Sequence, residues 1–231
     1  RKALRAIILG ALHGPRPKSK PSYFSNQSPR TYAPKPGYAV NFWKKRNLSP
    51  ESVDVLEIIA TRADRYFSEE NTKAIGNIIH NDSRSEKAFD GIENEVKWVI
   101  TSPPYYGMRT YIPDQWLRMW FLGGKASVDY STDKQIEHPN PDEFASQLNQ
   151  VWSNVGNVCT HDAQLVIRFG GINDRKADPL QILRQSLENS GWAINKIKSA
   201  GFASSGRRQA LHIKSSIKEA REEYDVWAIR G

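Results

Sequence analysis

The run Trp98-Val99-Ile100-Thr101-Ser102-Pro103-Pro104-Tyr105-Tyr106-Gly107 constrains this chain more than any other stretch. Val96 to Ile100 is a short apolar run of the length of a buried strand. It ends in a polar residue, two prolines and two tyrosines. Each proline fixes its own φ, lacks an N–H, and keeps the residue before it out of the helical region. Ser102 and Pro103 are therefore expected to be extended, with the Pro103 carbonyl held in one direction. The strand end then offers two aimed acceptors, the Ser102 hydroxyl and the Pro103 carbonyl, beside an aromatic face.

That arrangement suits an exocyclic amine on a nucleobase, a poor nucleophile because its lone pair is delocalised into the ring. Two acceptors taking its two N–H bonds draw the nitrogen toward tetrahedral geometry and localise the pair. Tyr105 can stack on the base once it is flipped out, where stacking is worth roughly 1–3 kcal/mol. The plainer readings of Pro-Pro-Tyr are a proline-rich turn at a strand end or a short ligand motif for another domain.

Ser-Pro-Pro-Tyr after an apolar strand resembles the catalytic motif of the DNA amino-methyltransferases that use S-adenosylmethionine. The serine form, preceded by threonine, is more similar to the N4-cytosine branch than to the N6-adenine branch, which usually carries aspartate there. The resemblance implies a site-specific DNA methyltransferase of restriction-modification type. Ser102, Pro103, Pro104 and Tyr105 would be its catalytic residues, S-adenosylmethionine its cofactor and double-stranded DNA its partner.

The 231 residues fit one large domain, or one domain with an appendage. No apolar run approaches the roughly 18 residues of a membrane span. The single cysteine, Cys159, agrees with a reducing, cytoplasmic setting and lies outside any metal-like spacing. It sits between Val158 and Thr160, not beside the proline that a C5-cytosine methyltransferase nucleophile requires. The net charge of +8 is unevenly placed: residues 1–50 hold eleven Lys or Arg and no acid, and the rest sum to −3. Such a block suggests a polyanion partner, or else a solvated basic arm.

Residues 1–12 read as the end of a helix, with Leu4, Ile7, Ile8 and Ala11 on one face. His13 to Pro36 carries six prolines among Lys18, Lys20, Arg30, Lys35, Tyr23, Phe24 and Tyr32. It is neither helix nor central strand, and an ordered DNA-facing loop is favoured over a linker. A short helix is expected from Gly37 to Asn47, where Lys44-Lys45-Arg46 suits the helix dipole as well as DNA. Ser49-Pro50-Glu51 reads as the N-cap of a helix to Phe67. Strands are expected at about 75–80, 96–101, 163–169, 192–199 and 223–229. Helices are expected from near Pro113, from Pro141 to Val158, and from an Asp178-Pro179 cap to Asn189. Arg109 is placed to reach a phosphate or to form a salt bridge, and Arg207-Arg208 lies in the connection between the last two strands.

This pattern is α/β with a mainly parallel sheet. In the resembled class I methyltransferase (Rossmann-like) fold it corresponds to strands three to seven, with an antiparallel C-terminal pair and strands one and two absent. Residues 1–73 would then be a basic segment contacting DNA, and 74–231 the catalytic part. Lys18, Lys20, Arg30, Lys35, Arg109, Arg207 and Arg208 are the DNA-side candidates. The acid expected past the third strand makes Asp82 the cofactor-side candidate, with Ser83 and Thr101. A cap for the next segment is the other reading of Asp82. Phe169-Gly170-Gly171 lacks the second spaced glycine of a cofactor loop, and no Phe-x-Gly-x-Gly occurs. The start at Arg1, without Met or a preceding strand, fits a C-terminal fragment. A split-enzyme subunit or a non-catalytic DNA-binding relative fits the motif content too. In each case the edge left by the missing strands is expected to take a second copy, or a chain bringing the glycine-rich loop.

Overall fold

The computed structural model describes residues 1–14, 20–25, 36–49, 52–68, 75–108, 111–131, 136, 139–171, 177–202 and 222–231. The chain divides into two compact units, residues 1–76 with 109–131, and residues 77–108 with 132–231.

The first unit is helical, with α1 (Lys2–Ala11), α2 (Pro36–Lys44), α3 (Val55–Phe67) and α4 (Tyr111–Phe121). Ile7 and Ala11 of α1 and Ile58 of α3 are buried, as the 3.6-residue spacing requires, whereas Leu4 is 48% exposed. The N-cap of α3 is Asp54, whose carboxylate accepts from the Glu57 amide at 2.9 Å. The expected start at Ser49 is therefore wrong, because residues 52–54 lie outside the helix and the Asp54 carboxylate satisfies the first orphan donor instead. Residues 20–25 are tied down. Arg62 of α3 donates to the Ser22 carbonyl through Nε and Nη2 and lies 4.3 Å over the Tyr23 ring, while Phe24 N donates to Ala11 O.

The second unit is built on four strands: β1 (Val96–Thr101), β2 (Cys159–Gly170), β3 (Trp192–Phe202) and β4 (Glu222–Arg230). Their order is β1-β2-β4-β3. β1 runs parallel to β2, whereas β4 is antiparallel to both β2 and β3. The helices α5 (Pro141–Gly156) and α6 (Pro179–Leu187) cover one face. Alternation along β2 sends Leu165, Ile167 and Phe169 to that face, where they meet Phe144, Leu148, Trp152, Ile182 and Leu183. On the other face of β1, Trp98 is 61% and Ile100 77% exposed. Asn140 and Asp178 cap α5 and α6, each followed by a proline at the first helical position.

The strand expected at 75–80 is absent. These residues are irregular and exposed, Ile75 and Ile78 almost fully, and no described strand pairs with them. The sheet therefore has four described strands, not five. Among the described residues no helix is long and apolar enough to cross a membrane.

Candidate active site

β1 delivers the Thr-Ser-Pro-Pro-Tyr run to its carboxyl end, where open α/β sheets bind ligands. Thr101 ends the strand half-buried, and Pro103 is buried. Ser102 between them is exposed, and its hydroxyl has no hydrogen-bond partner among the described residues. A turn then closes from the Tyr105 carbonyl to the Met108 amide at 3.0 Å. Gly107 takes φ +83° within that turn, a region that L side chains avoid.

The two tyrosines are anchors. Tyr106 meets Phe144 of α5 edge-on at 5.6 Å, and Tyr105 meets Phe169 of β2 edge-on at the same distance. Phe144 and Phe169 in turn stack at 6.4 Å. This aromatic row ties the loop to the core. The Tyr105 hydroxyl also donates to Glu223 Oε1 of β4 at 2.9 Å. Beside it Arg168 holds Asp225 through two bonds of 2.7 Å, which keep the Asp225 carboxyl below its ordinary value.

Asp82 lies elsewhere than the edge beyond a strand, since the strand expected to precede it does not form. Its carboxylate accepts from Arg84 through Nε at 3.0 Å and Nη2 at 2.7 Å, and these bonds lower its pKa. Arg84 also donates to Gln147 of α5 at 2.8 Å, and Asn154 of α5 donates to the carbonyls of Ser83 and Arg84. The segment carrying Asp82 and Ser83 is thus docked along α5. Lys20 forms a surface ion pair with Glu57 at 3.1 Å, both side chains more than half exposed. Lys18, Arg30, Lys35, Arg109, Arg207 and Arg208 lie outside the described residues.

Sequence reasoning missed Glu223, Gly170 and Phe169. The only signal in the chain was the pair of glycines following Phe169, and Gly170 serves a close approach. A Cβ there would lie 3.0 Å from Glu223 Cγ and 3.4 Å from two atoms of the Tyr105 ring.

The second unit thus defines a mixed α/β class with a Ser-Pro-Pro-Tyr loop at the carboxyl end of a parallel strand. No protein-family model and no curated protein matches the chain. Among solved structures, the chain is similar to a provisionally assigned DNA modification methylase from Thermus thermophilus. One crystal structure of it shares 18% identity over 65% of this chain and 51% of that chain, with a TM-score of 0.36. Another, complexed with S-adenosyl-L-methionine, shares 16% over 64% and 53%, with a TM-score of 0.37. A 16S rRNA (adenine(1408)-N(1))-methyltransferase variant from Catenulisporales acidiphilia, with cosubstrate SAM, shares 12% over 65% and 59%, at 0.31. The chain spans about half the length of the DNA modification methylase it matches. At these TM-scores the likeness carries no argument about this chain's chemistry.

Proposed function

We propose that the chain carries the amine-orienting part of a DNA methyltransferase. The reaction would move a methyl group from S-adenosylmethionine to the exocyclic N4 amine of a flipped cytosine, as in a restriction-modification system. The observation that carries this reading is the exposed, unengaged Ser102 hydroxyl in a proline-fixed loop at the carboxyl end of β1. Ser102 Oγ accepts one amine N–H and the Pro103 carbonyl the other, Pro104 stiffens the turn, and Tyr105 meets the base. Localising the lone pair on nitrogen is the step these residues perform. The antiparallel run of β4 between β2 and β3 supports reading these strands as the C-terminal pair of a class I methyltransferase sheet.

The residues fit the acceptor amine better than they fit a whole cofactor. Ser102 is open, whereas the Asp82 carboxylate is already bonded to Arg84, and the described residues hold no glycine-rich turn between a strand and a helix. S-adenosylmethionine, when bound, supplies an electrophilic methyl group. Thr101, Asp82 and Ser83 are the residues proposed to border it. Residues 1–73 are proposed to face DNA, with Lys18, Lys20, Arg30, Lys35, Arg109, Arg207 and Arg208 on phosphates. A second copy, or a chain with the glycine-rich loop, would complete the site at the open edge of β1.

The Asp82–Arg84 pairing favours a second reading, a DNA-binding module without turnover. Product identification separates the two. The chain is incubated with unmethylated DNA and methyl-labelled S-adenosylmethionine, and the nucleosides are weighed. N4-methylcytosine supports the first reading and N6-methyladenine moves it to the other base. No methylated base, with salt-sensitive DNA binding intact, leaves the second, or a target-holding half whose cofactor half another chain brings.

A further inference from the structure

Glu223 stands across the sheet from Gly170, its register partner, and is the one charged residue buried among the described residues, at 6% exposure. A carboxylate in such a place needs compensating contacts. Its Oε1 accepts the Tyr105 hydroxyl at 2.9 Å, and the Arg168 cation lies near enough for a favourable charge interaction. Glycine at 170 leaves room for the contact, since a Cβ there would lie 3.0 Å from Glu223 Cγ and ask that side chain to shift. Tyr105 lies three residues beyond the exposed Ser102, and its ring also meets Phe169 edge-on.

We infer that Glu223 is a positioning residue. Through the Tyr105 hydroxyl it fixes the angle at which that ring meets a base presented to Ser102, and so sets how well the base is captured. The inference rests on the amine-transfer reading for what the ring is held toward. The tether itself rests on the geometry alone.

The test uses the full chain labelled with 3-fluorotyrosine, the Tyr105 line being assigned with Tyr105→Phe. Glu223→Ala should move or broaden that fluorine resonance, while Glu223→Gln, whose amide oxygen still accepts, should leave it in place. In methyl transfer to plasmid DNA, Glu223→Ala and Tyr105→Phe should each raise KM about tenfold, the worth of one hydrogen bond to a charged group, with kcat little changed. The double variant should be no worse than either single one. An unchanged fluorine line and KM in Glu223→Ala overturns the inference, as does multiplication of the two effects in the double variant or equal failure of Glu223→Gln. If the unsubstituted chain transfers no methyl group, the functional reading falls and base capture falls with it. The fluorine line then decides the tether separately.

Discussion

Ser102 and Tyr105 stand three residues apart and meet opposite demands. Ser102 keeps an open hydroxyl, whereas Tyr105 is held by Phe169 and Glu223. Replacing Ser102 with Ala removes one of the two proposed acceptors without disturbing packing, since the side chain is exposed. Methyl transfer should fall on the order of a hundredfold, by analogy with losing one donor of an oxyanion hole, while DNA affinity stays put. An active Ser102→Ala enzyme would remove the acceptor role. Gly170→Ala should destabilise the fold by about 1–3 kcal/mol, as overpacking does, because its Cβ would crowd Glu223 and Tyr105. Thermal melting checks this, and an unchanged midpoint would show that the neighbours yield freely. Ser102 and the prolines were legible because their constraint is local, a strand end followed by fixed φ. Glu223 was not, since 118 residues separate it from Tyr105 and only the β2–β4 register brings them together.

Among the elements, α5 and α6 are latched by a buried polar chain. Trp152 Nε1 donates to Ser186 Oγ at 3.0 Å, which donates to the Leu183 carbonyl, and Trp192 Nε1 donates to the Trp152 carbonyl. Ser186→Ala leaves the indole N–H buried without an acceptor, at a cost of about 1–3 kcal/mol. Denaturant melts should show the loss, and a neutral result would mean that water reaches the site. The Arg168–Asp225 pair joins β2 to β4 at directly opposed positions. Arg168 lowers the Asp225 pKa in the folded chain, so the pair adds stability above the ordinary carboxylate value near 4 and loses it as pH falls through the lower folded value. Acid melts below about pH 4 should therefore be flatter for Asp225→Asn, and an identical acid limb would exclude the pair as a contributor. The amphipathic helices were readable because their 3.6-residue pattern carries its own evidence. The stretch 75–80 was misread because a strand exists only with a partner, and Ile75, Ile78 and Ile79 look the same in sequence whether or not one is beside them. The cap of α3 was misplaced for a related reason, since Ser49 and Asp54 both carry cap chemistry and the fold uses the later one.

For the molecule as a whole, the decisive feature is a sheet with its Ser-Pro-Pro-Tyr loop on the edge strand β1. All the other described strands lie to one side of β1, so no described strand pairs with its outer edge. Trp98 and Ile100 add exposed apolar surface along the same strand. Edges of this kind are templates for further pairing, and apolar surface beside them strengthens the tendency. A ligand crevice in an open α/β sheet forms where strands depart to both sides, and among the described residues they depart from β1 to one side. A second copy seated on this edge would bury Trp98 and Ile100 and wall the Ser102 loop. Sedimentation velocity over a concentration series should then show the chain associating. Ile100→Lys should return it to single chains, because a charge on an edge strand opposes pairing, without lowering the melting midpoint of a side chain already 77% exposed. A single-chain species at every concentration would discard self-association at β1. Association that persists in Ile100→Lys would move the interface to another surface.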